Sequence, residues 1–555
     1  MDSHSEGARG RPGGVQRRIL VLAATATLVL ASCARAGDPP THNAGAGPKP
    51  SAGSSSTQML DGSTDLGPAQ GHPVDVTVSL NGTTRPEALI AWADSHHLSV
   101  DWSPGHSWAY LMGSPADVGS AFGVSIHDYR SADGKTYYEA KQAPEIPAPV
   151  RGDVSEVGRI VSGPVNTARP PVIPRDVPDG ALSPTGLMKT YNAAPLKADG
   201  KGQTIVFFEI DSGNQSDYDK FTQEFNIPVP LKPTEIGNRP KEGGETPMDV
   251  EVVHGMAPAA QKVILYLPVA ANGNLTTKEW ADSMAQIDRD YPGAVWSISL
   301  IWICDLRVNA ANLAPIQEAI RTAEQHGTSV FMSSGDNGGY ECKGQQGHSE
   351  YFAPPVEGDI GLNAVASIPE VVSAGGTTLS TDSNGGWVTE AGWADYPSGF
   401  GTGGGVSNVY ARPDWQRTVQ LAQNLTGDHQ GVPDPQTQRL TPDFSAVADG
   451  ATGAGFYKDG KLIPGGGTSL SAPILAALTM LMNQYLTGHG GKKIGDINPV
   501  LYKAATGSRP AFHDVTFGGN VAYNSGEGFD LATGLGTPDT FNLVQNILDI
   551  QKAGG

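Results

Sequence analysis

The sequence predicts an α/β protein: a doubly wound parallel sheet covered by helices on both faces, preceded by a small α+β unit. Three observations predict it. From residue 203 onward, short apolar runs alternate with helical stretches. Before that, from residue 74, apolar and polar residues alternate as in half-buried strands. Between the two blocks, from about 143 to 185, proline is frequent and periodicity is lost. A length of 555 residues fits two to four domains at roughly 150 residues each. The balance of 37 Lys+Arg against 57 Asp+Glu gives a net charge of −20, which argues against nucleic acid as a partner. Three cysteines make neither a disulfide scaffold nor a four-cysteine zinc site. With 71 Gly and 42 Pro, long ordered loops are expected, and no internal repeat points to a solenoid or propeller.

The chain opens with an address. Arg9, Arg11, Arg17 and Arg18 precede an apolar run over 19–31 that is too short to span a bilayer and has the layout of an export signal. Its end, Leu30-Ala31-Ser32-Cys33, resembles the lipobox of bacterial lipoproteins. The resemblance implies a signal peptide over 1–32 and a lipidated Cys33 that holds an exported protein at a membrane surface. Residues 33–73, rich in Gly, Pro, Ser, Ala and Thr, read as a flexible tether. A coil of about 40 residues reaches roughly 35 Å.

Residues 74–160 read as the small α+β unit. Val74, Val76, Val78 and Leu80 alternate as a strand, and Pro86 opens a helix through Leu89, Ile90 and Trp92. A strand begins at Trp108, a helix spans 115–122, and 126–140 forms a hairpin turning at Asp133-Gly134. The proline-rich stretch after about 143 reads as linker, with proteolytic processing placed at 161–180 and the main domain at 181–555. In that domain, strands are expected at 204–210, 263–267, 295–300 and 329–332, with helices at 277–289 and 310–326. Chemistry in such folds sits at the carboxyl ends of the strands and at the helix starts beyond them.

Three strings carry the chemistry. Gly465-Gly466-Gly467-Thr468-Ser469-Leu470-Ser471-Ala472-Pro473 runs into an apolar helix. A serine there is an ordinary N-cap residue, yet its hydroxyl also faces the positive end of the helix dipole. Glu245 and Asp249, four apart, share a helix face; alone, such a pair reads as a solvated face. Nine positions on from Glu245, His254 falls on the opposite side, and Glu251 is turned away. Ser333-Ser334-Gly335-Asp336-Asn337-Gly338 follows a strand, where an aspartate ordinarily satisfies its own turn.

Taken together, G-T-S-x-S-x-P, Glu-x-x-x-Asp and S-G-D-x-G, in the order Glu, Asp, Asp, Ser, resemble the sedolisin family of serine-carboxyl peptidases. Ala121-Phe122-Gly123-Val124 and Ile146-Pro147-Ala148-Pro149 resemble that family's activation propeptide, and the string from Leu182 to Leu187 resembles the start of its mature enzyme. The resemblance implies a subtilisin-like α/β domain and a precursor activated by propeptide cleavage, acting as a monomer on protein or peptide substrates. It implies catalytic roles for Glu245, Asp249, Asp336 and Ser469. Two carboxyls this close share a proton. Glu245 would then take the Ser469 proton, Asp249 would orient Glu245, and a protonated Asp336 would donate to the oxyanion. Activity should fade above roughly pH 5 to 6.

The same resemblance implies one structural Ca2+ held by Asp514, Val515, Gly526, Gly528 and Asp530. Glu209 matches the family's outer glutamate, while Leu300 stands where a tryptophan commonly extends the carboxyl network. Cys304 and Cys342 are additions to the pattern, and in an exported protein they suit a disulfide. Two other classes stay open: an inactive, peptidase-like binding protein, and a Ser-His-Asp hydrolase using His254. Tripeptide release against internal cleavage is also open, with the export signal favouring internal cleavage.

Overall fold

The computed structural model describes residues 64–130, 136–162, 181–270, 273–343, 357–382, 385–395, 399–422 and 431–554. The signal segment, Cys33 and the turn at Asp133-Gly134 lie outside the described residues, as does 163–180 within the processing segment.

The first unit is built from two antiparallel sheets. One has the order β3 (Ser99–Asp101), β4 (Trp108–Gly113), β2 (Val74–Leu80), β7 (Val154–Val157); the other has β1 (Thr64–Pro68), β5 (Ile126–Arg130), β6 (Thr136–Ala140). The hairpin pairs Ile126 with Ala140 and Arg130 with Thr136. Helix α1 (Glu87–Ser95) follows Pro86, and α2 (Pro115–Phe122) starts on a Ser114 cap and stops where Gly123 turns left-handed at φ 67°. Their buried Trp92 and Phe122 meet edge to face, 5.3 Å between centroids, over Val74, Val76 and Val78. Two expectations need correction. Strand β1 lies inside the segment expected to be a free tether, because Thr64 to Pro68 pair with β5. The proline-rich stretch is not linker from 143: β7 completes a sheet against β2, and Val150 and Ile160 are buried in the core. Proline spacing hides these elements because neither shows a period of its own.

The main domain starts with α3 (Pro184–Thr190), capped by Ser183. Its large sheet has the order β14 (Trp387–Gly392), β13 (Val372–Thr381), β12 (Ser329–Ser333), β11 (Val295–Ile298), β8 (Thr204–Glu209), β10 (Gln261–Tyr266), β9 (Thr234–Ile236). All neighbours are parallel except the β13–β14 edge, and the strand Phe444–Val447 runs parallel beside β13. Strand β8 shows why the runs are continuously apolar. Ile205 and Phe207 enter one core while Val206 and Phe208 enter the other, so both faces are buried. Helices α4 (Gln215–Glu224), α5 (Glu245–Met256), α6 (Thr277–Asp290) and α7 (Ala310–Gln325) follow in chain order, and α8 (Thr468–Gly488) packs against α5. The chain builds one side of the sheet from β8 to β10 and the other from β11 to β13. The strand order therefore reverses at β8, where such folds leave a crevice.

The first unit docks on α7. Asn309 Nδ2 donates to the Val157 carbonyl at 3.0 Å, and Asn312 bonds both the amide and the carbonyl of Arg159. Arg307 pairs with Glu139 at 3.0 Å, almost fully buried, and lies over the Tyr137 ring. Gly158 permits this approach: a Cβ there would come within 2.8 Å of Asn312 Nδ2. Cys304, beyond β11, is disulfide-bonded to Cys342, beyond β12, which the sequence left open. At a sequence separation of 38, closing that loop removes about 4 kcal/mol of unfolded-state entropy on the chain-entropy model.

Candidate active site

Helix α5 is buried at every position from Glu245 to His254, because α3, α4, α8, β8 and the strand Gly455–Lys458 all pack against it. An acidic pair on such a helix is not a solvated face. Asp211, just beyond β8, caps the helix start. Its Oδ2 accepts from the Glu245 amide at 3.0 Å, and its Oδ1 accepts from the Thr246 amide at 2.9 Å and the Thr246 hydroxyl at 2.7 Å. Glu245 thus starts the helix and Asp249 sits one turn on, both buried. Glu209, at the end of β8, joins them. Burial, with Asp249, Asp211 and Glu245 nearby, pushes its carboxyl well above the ordinary range. Glu251 faces elsewhere, accepting from the Tyr457 amide at 2.6 Å, and burial pushes it up to about 9. His254 is also elsewhere: its Nε2 meets the Val229 carbonyl at 2.9 Å, and burial pushes it down to about 3, so it stays neutral.

Ser469 occupies the first turn of α8 behind Gly467, whose φ of 84° suits glycine. Asp336, just past β12, reaches across to the residue before it. Asp336 Oδ1 accepts from the Thr468 amide and from the Thr468 hydroxyl, each at 2.7 Å. Asp336 Oδ2 has no hydrogen-bond partner, and a Cβ on Gly467 would come within 2.6 Å of it. Burial pushes Asp336 up to about 6, against the two Thr468 bonds. The turn is braced by Glu341, whose carboxylate accepts from the amide and side chain of Asn337, and burial holds that carboxyl up at about 8.

On the other side, Ser299 connects the acidic pair to the serine. Its Oγ is 2.5 Å from Asp249 Oδ2 and 3.0 Å from the Ser469 carbonyl oxygen. Asp249 and Asp336 therefore flank the dipeptide Thr468-Ser469, with Glu245 one turn away on the Asp249 face. Ser299 and Thr468 thus link Asp249, Asp336 and Ser469, Glu245 lies one helical turn from Asp249, and His254 bonds the Val229 carbonyl instead. Leu300 is fully buried among apolar side chains, and only its carbonyl is engaged, accepting from Ser333 Oγ and Asn363 Nδ2. Sequence reading missed Asp211 and Ser299 as site residues. Asp211 had a signal, an acid directly after a buried strand at the expected switch point; Ser299 stood only as part of a strand string.

In the carboxyl-terminal loop the two aspartates are held by the loop's own amides. Asp514 Oδ2 accepts from the Gly528 amide at 2.9 Å, and Asp530 Oδ2 accepts from the Gly526 amide at 3.0 Å. Asp530 Oδ1 takes the amides of Ala532 and Thr533, and Val515 is buried beside them. These bonds orient both carboxylates and leave lone pairs on Asp514 and on Asp530 Oδ2, so an oxygen-binding cation fits. Among the described residues no three His, Cys, Asp or Glu side chains converge, so backbone carbonyls would supply the remaining ligands.

Residues 81–162 match the model of the pro-kumamolisin activation domain. Kumamolisin of Bacillus sp. (strain MN-32) is 29% identical over 488 residues, covering 82% of this chain and 82% of that protein. Sedolisin of Pseudomonas sp. (strain 101) is 32% identical over 313 residues, 54% of this chain and 48% of that protein. The structure of Pseudomonas sedolisin complexed with two molecules of pseudo-iodotyrostatin superposes with a TM-score of 0.55 at 26% identity, covering 67% of this chain and 99% of that one. With an activation domain on a subtilisin-like α/β fold, the chain is similar to the sedolisins and kumamolisins, which are serine-carboxyl peptidases.

Proposed function

We propose that the chain is a precursor that cuts itself in acid and then acts as an endopeptidase on proteins and peptides, with Glu245, Asp249, Asp336 and Ser469 as its working groups. The observation that supports this most is the clamp on Thr468-Ser469: Asp336 bonds Thr468 from one side, and Asp249 reaches Ser469 through Ser299 from the other. Ser469 Oγ attacks the peptide carbonyl and Glu245 takes its proton. Asp249 holds Glu245 in place. Asp336, neutral, donates from Oδ2 to the developing oxyanion, since its Oδ1 is already occupied by Thr468. The later transfer of the Glu245 proton to the leaving amine completes acylation, and water reverses the steps.

The pH dependence follows from Asp336. Its carboxyl is raised to about 6, so it donates below that value and becomes a repulsive anion above it. Digestion of an unfolded protein by acid-treated precursor is expected to be fastest near about pH 4 and to fall about tenfold per unit once pH passes about 6. A maximum at neutral or alkaline pH would overturn the Asp336 role and favour imidazole chemistry. The fold itself suits acid. Burial raises Asp305 and Asp336 to about 6, Glu341 to about 8 and Glu251 to about 9. Their stabilisation is whole below the unfolded values and is lost as pH rises through those figures.

We further propose one structural Ca2+ at Asp514, Val515, Gly526, Gly528 and Asp530, where two carboxylates and three carbonyls suit the ion. At about a hundredfold excess over its dissociation constant, such an ion contributes about 2.7 kcal/mol. Chelation is expected to lower the melting temperature by several degrees; an unchanged value with no metal in the purified protein contradicts the site. Export as a monomer, anchored through lipidated Cys33, completes the reading and rests on the residue pattern before Cys33.

A further inference from the structure

Helix α8 contains a built-in defect at the serine. The carbonyl of Ser469 would ordinarily accept from the amide four residues on, but that residue is Pro473, which has no N–H. Ser299 Oγ lies 3.0 Å from this oxygen and 2.5 Å from Asp249 Oδ2. A serine hydroxyl has one hydrogen. With that hydrogen on the Ser469 carbonyl, which can only accept, Oγ presents lone pairs to Asp249. That second contact is bonding only if Asp249 Oδ2 carries a hydrogen of its own. If Ser299 instead donated to an ionised Asp249, the Ser469 carbonyl would lose the hydroxyl that stands in for the missing Pro473 donor, beside an anion.

The surroundings act in the same direction. Glu209 from β8 lies close to Asp249, to Asp211 from the loop beyond it, and to Glu245 one turn before Asp249, all acids. On the α8 side Ser299 links Asp249 to the uncharged Ser469, and Asp336 bonds the preceding Thr468. A second negative charge in this company is disfavoured, so the pair keeps one proton. The geometry points to Ser299 as a positioning residue that places this proton on Asp249 Oδ2 and leaves Glu245 as the ionised member. The inference rests on the proposed roles of Glu245 and Ser469 and deepens them, because it explains why Glu245 rather than Asp249 is free to take the serine proton.

The test uses full-length precursor carrying Ser469→Ala, which keeps the residue-469 carbonyl and cannot cut itself. Infrared difference spectra across pH follow the carbonyl stretch of protonated carboxyls. At about pH 5, Asp249→Asn is expected to remove one component that Glu245→Gln leaves in place. Ser299→Ala is expected to move the titration of that component about one unit lower, and Ser299→Thr, which keeps the hydroxyl, to restore it. In the cleavable chain, Ser299→Ala should slow self-cleavage about 10–100-fold. A component removed by Glu245→Gln instead, or a titration unmoved by Ser299→Ala, overturns the inference. Wild-type cleavage by Glu245→Gln would overturn the base assignment itself, and the spectra separate that failure from a misplaced proton.

Discussion

Purified precursor carrying Ser469→Ala is expected to remain uncut in acid and to lose peptide hydrolysis by about 10⁴-fold or more. The reason is local. Only the hydroxyl at position 469 is deleted, while the backbone carbonyl that Ser299 holds and the Thr468 bonds to Asp336 are unchanged. The melting temperature should therefore match wild type, which separates loss of the nucleophile from loss of the fold. A time course of precursor length at about pH 4, with the protein alone in solution, reads the result. Normal self-processing by this variant would mean that Ser469 is not the nucleophile.

Much of this site was legible in the sequence because its strings are local. Gly467, Thr468 and Ser469 are consecutive, and Asp336 sits one glycine after a buried strand. Glu245 and Asp249 declare their shared face by spacing alone. The alternation of strands and helices after residue 203 likewise gave the parallel sheet, since β8 is apolar on both faces. What stayed hidden depends on contacts between distant segments. Asp211 lies 34 residues from the Glu245 amide it caps, and Ser299 lies 170 residues from the Ser469 carbonyl it serves. Pro473 held a signal in plain view, a missing donor four residues after the nucleophile, but nothing local names the group that replaces it. Strand β7 was missed because its identity comes from pairing with β2, some 75 residues earlier, rather than from any pattern of its own.

The second large effect is expected from Glu245→Gln. Glutamine keeps the shape of the side chain and leaves the backbone bond from residue 245 to Asp211 intact, but it cannot accept a proton at any working pH. A reaction that loses its base slows by roughly 10²–10⁴-fold. His254 supplies the contrast. It is buried on the far side of α5 against the Val229 carbonyl, and burial holds it neutral with a value near 3. His254→Ala should cost stability, about 1–3 kcal/mol for an orphaned carbonyl and a lost side chain, while the chemistry continues.

These two variants, set beside wild type, give the most direct measurement: the first-order rate of self-cleavage of the purified precursor at about pH 4 and 20 °C below its melting temperature. Wild type and His254→Ala are expected to cut within about threefold of each other, and Glu245→Gln to fall at least 10²-fold. Cleavage that survives Glu245→Gln and disappears with His254→Ala would contradict an acid-driven serine and return the site to imidazole catalysis.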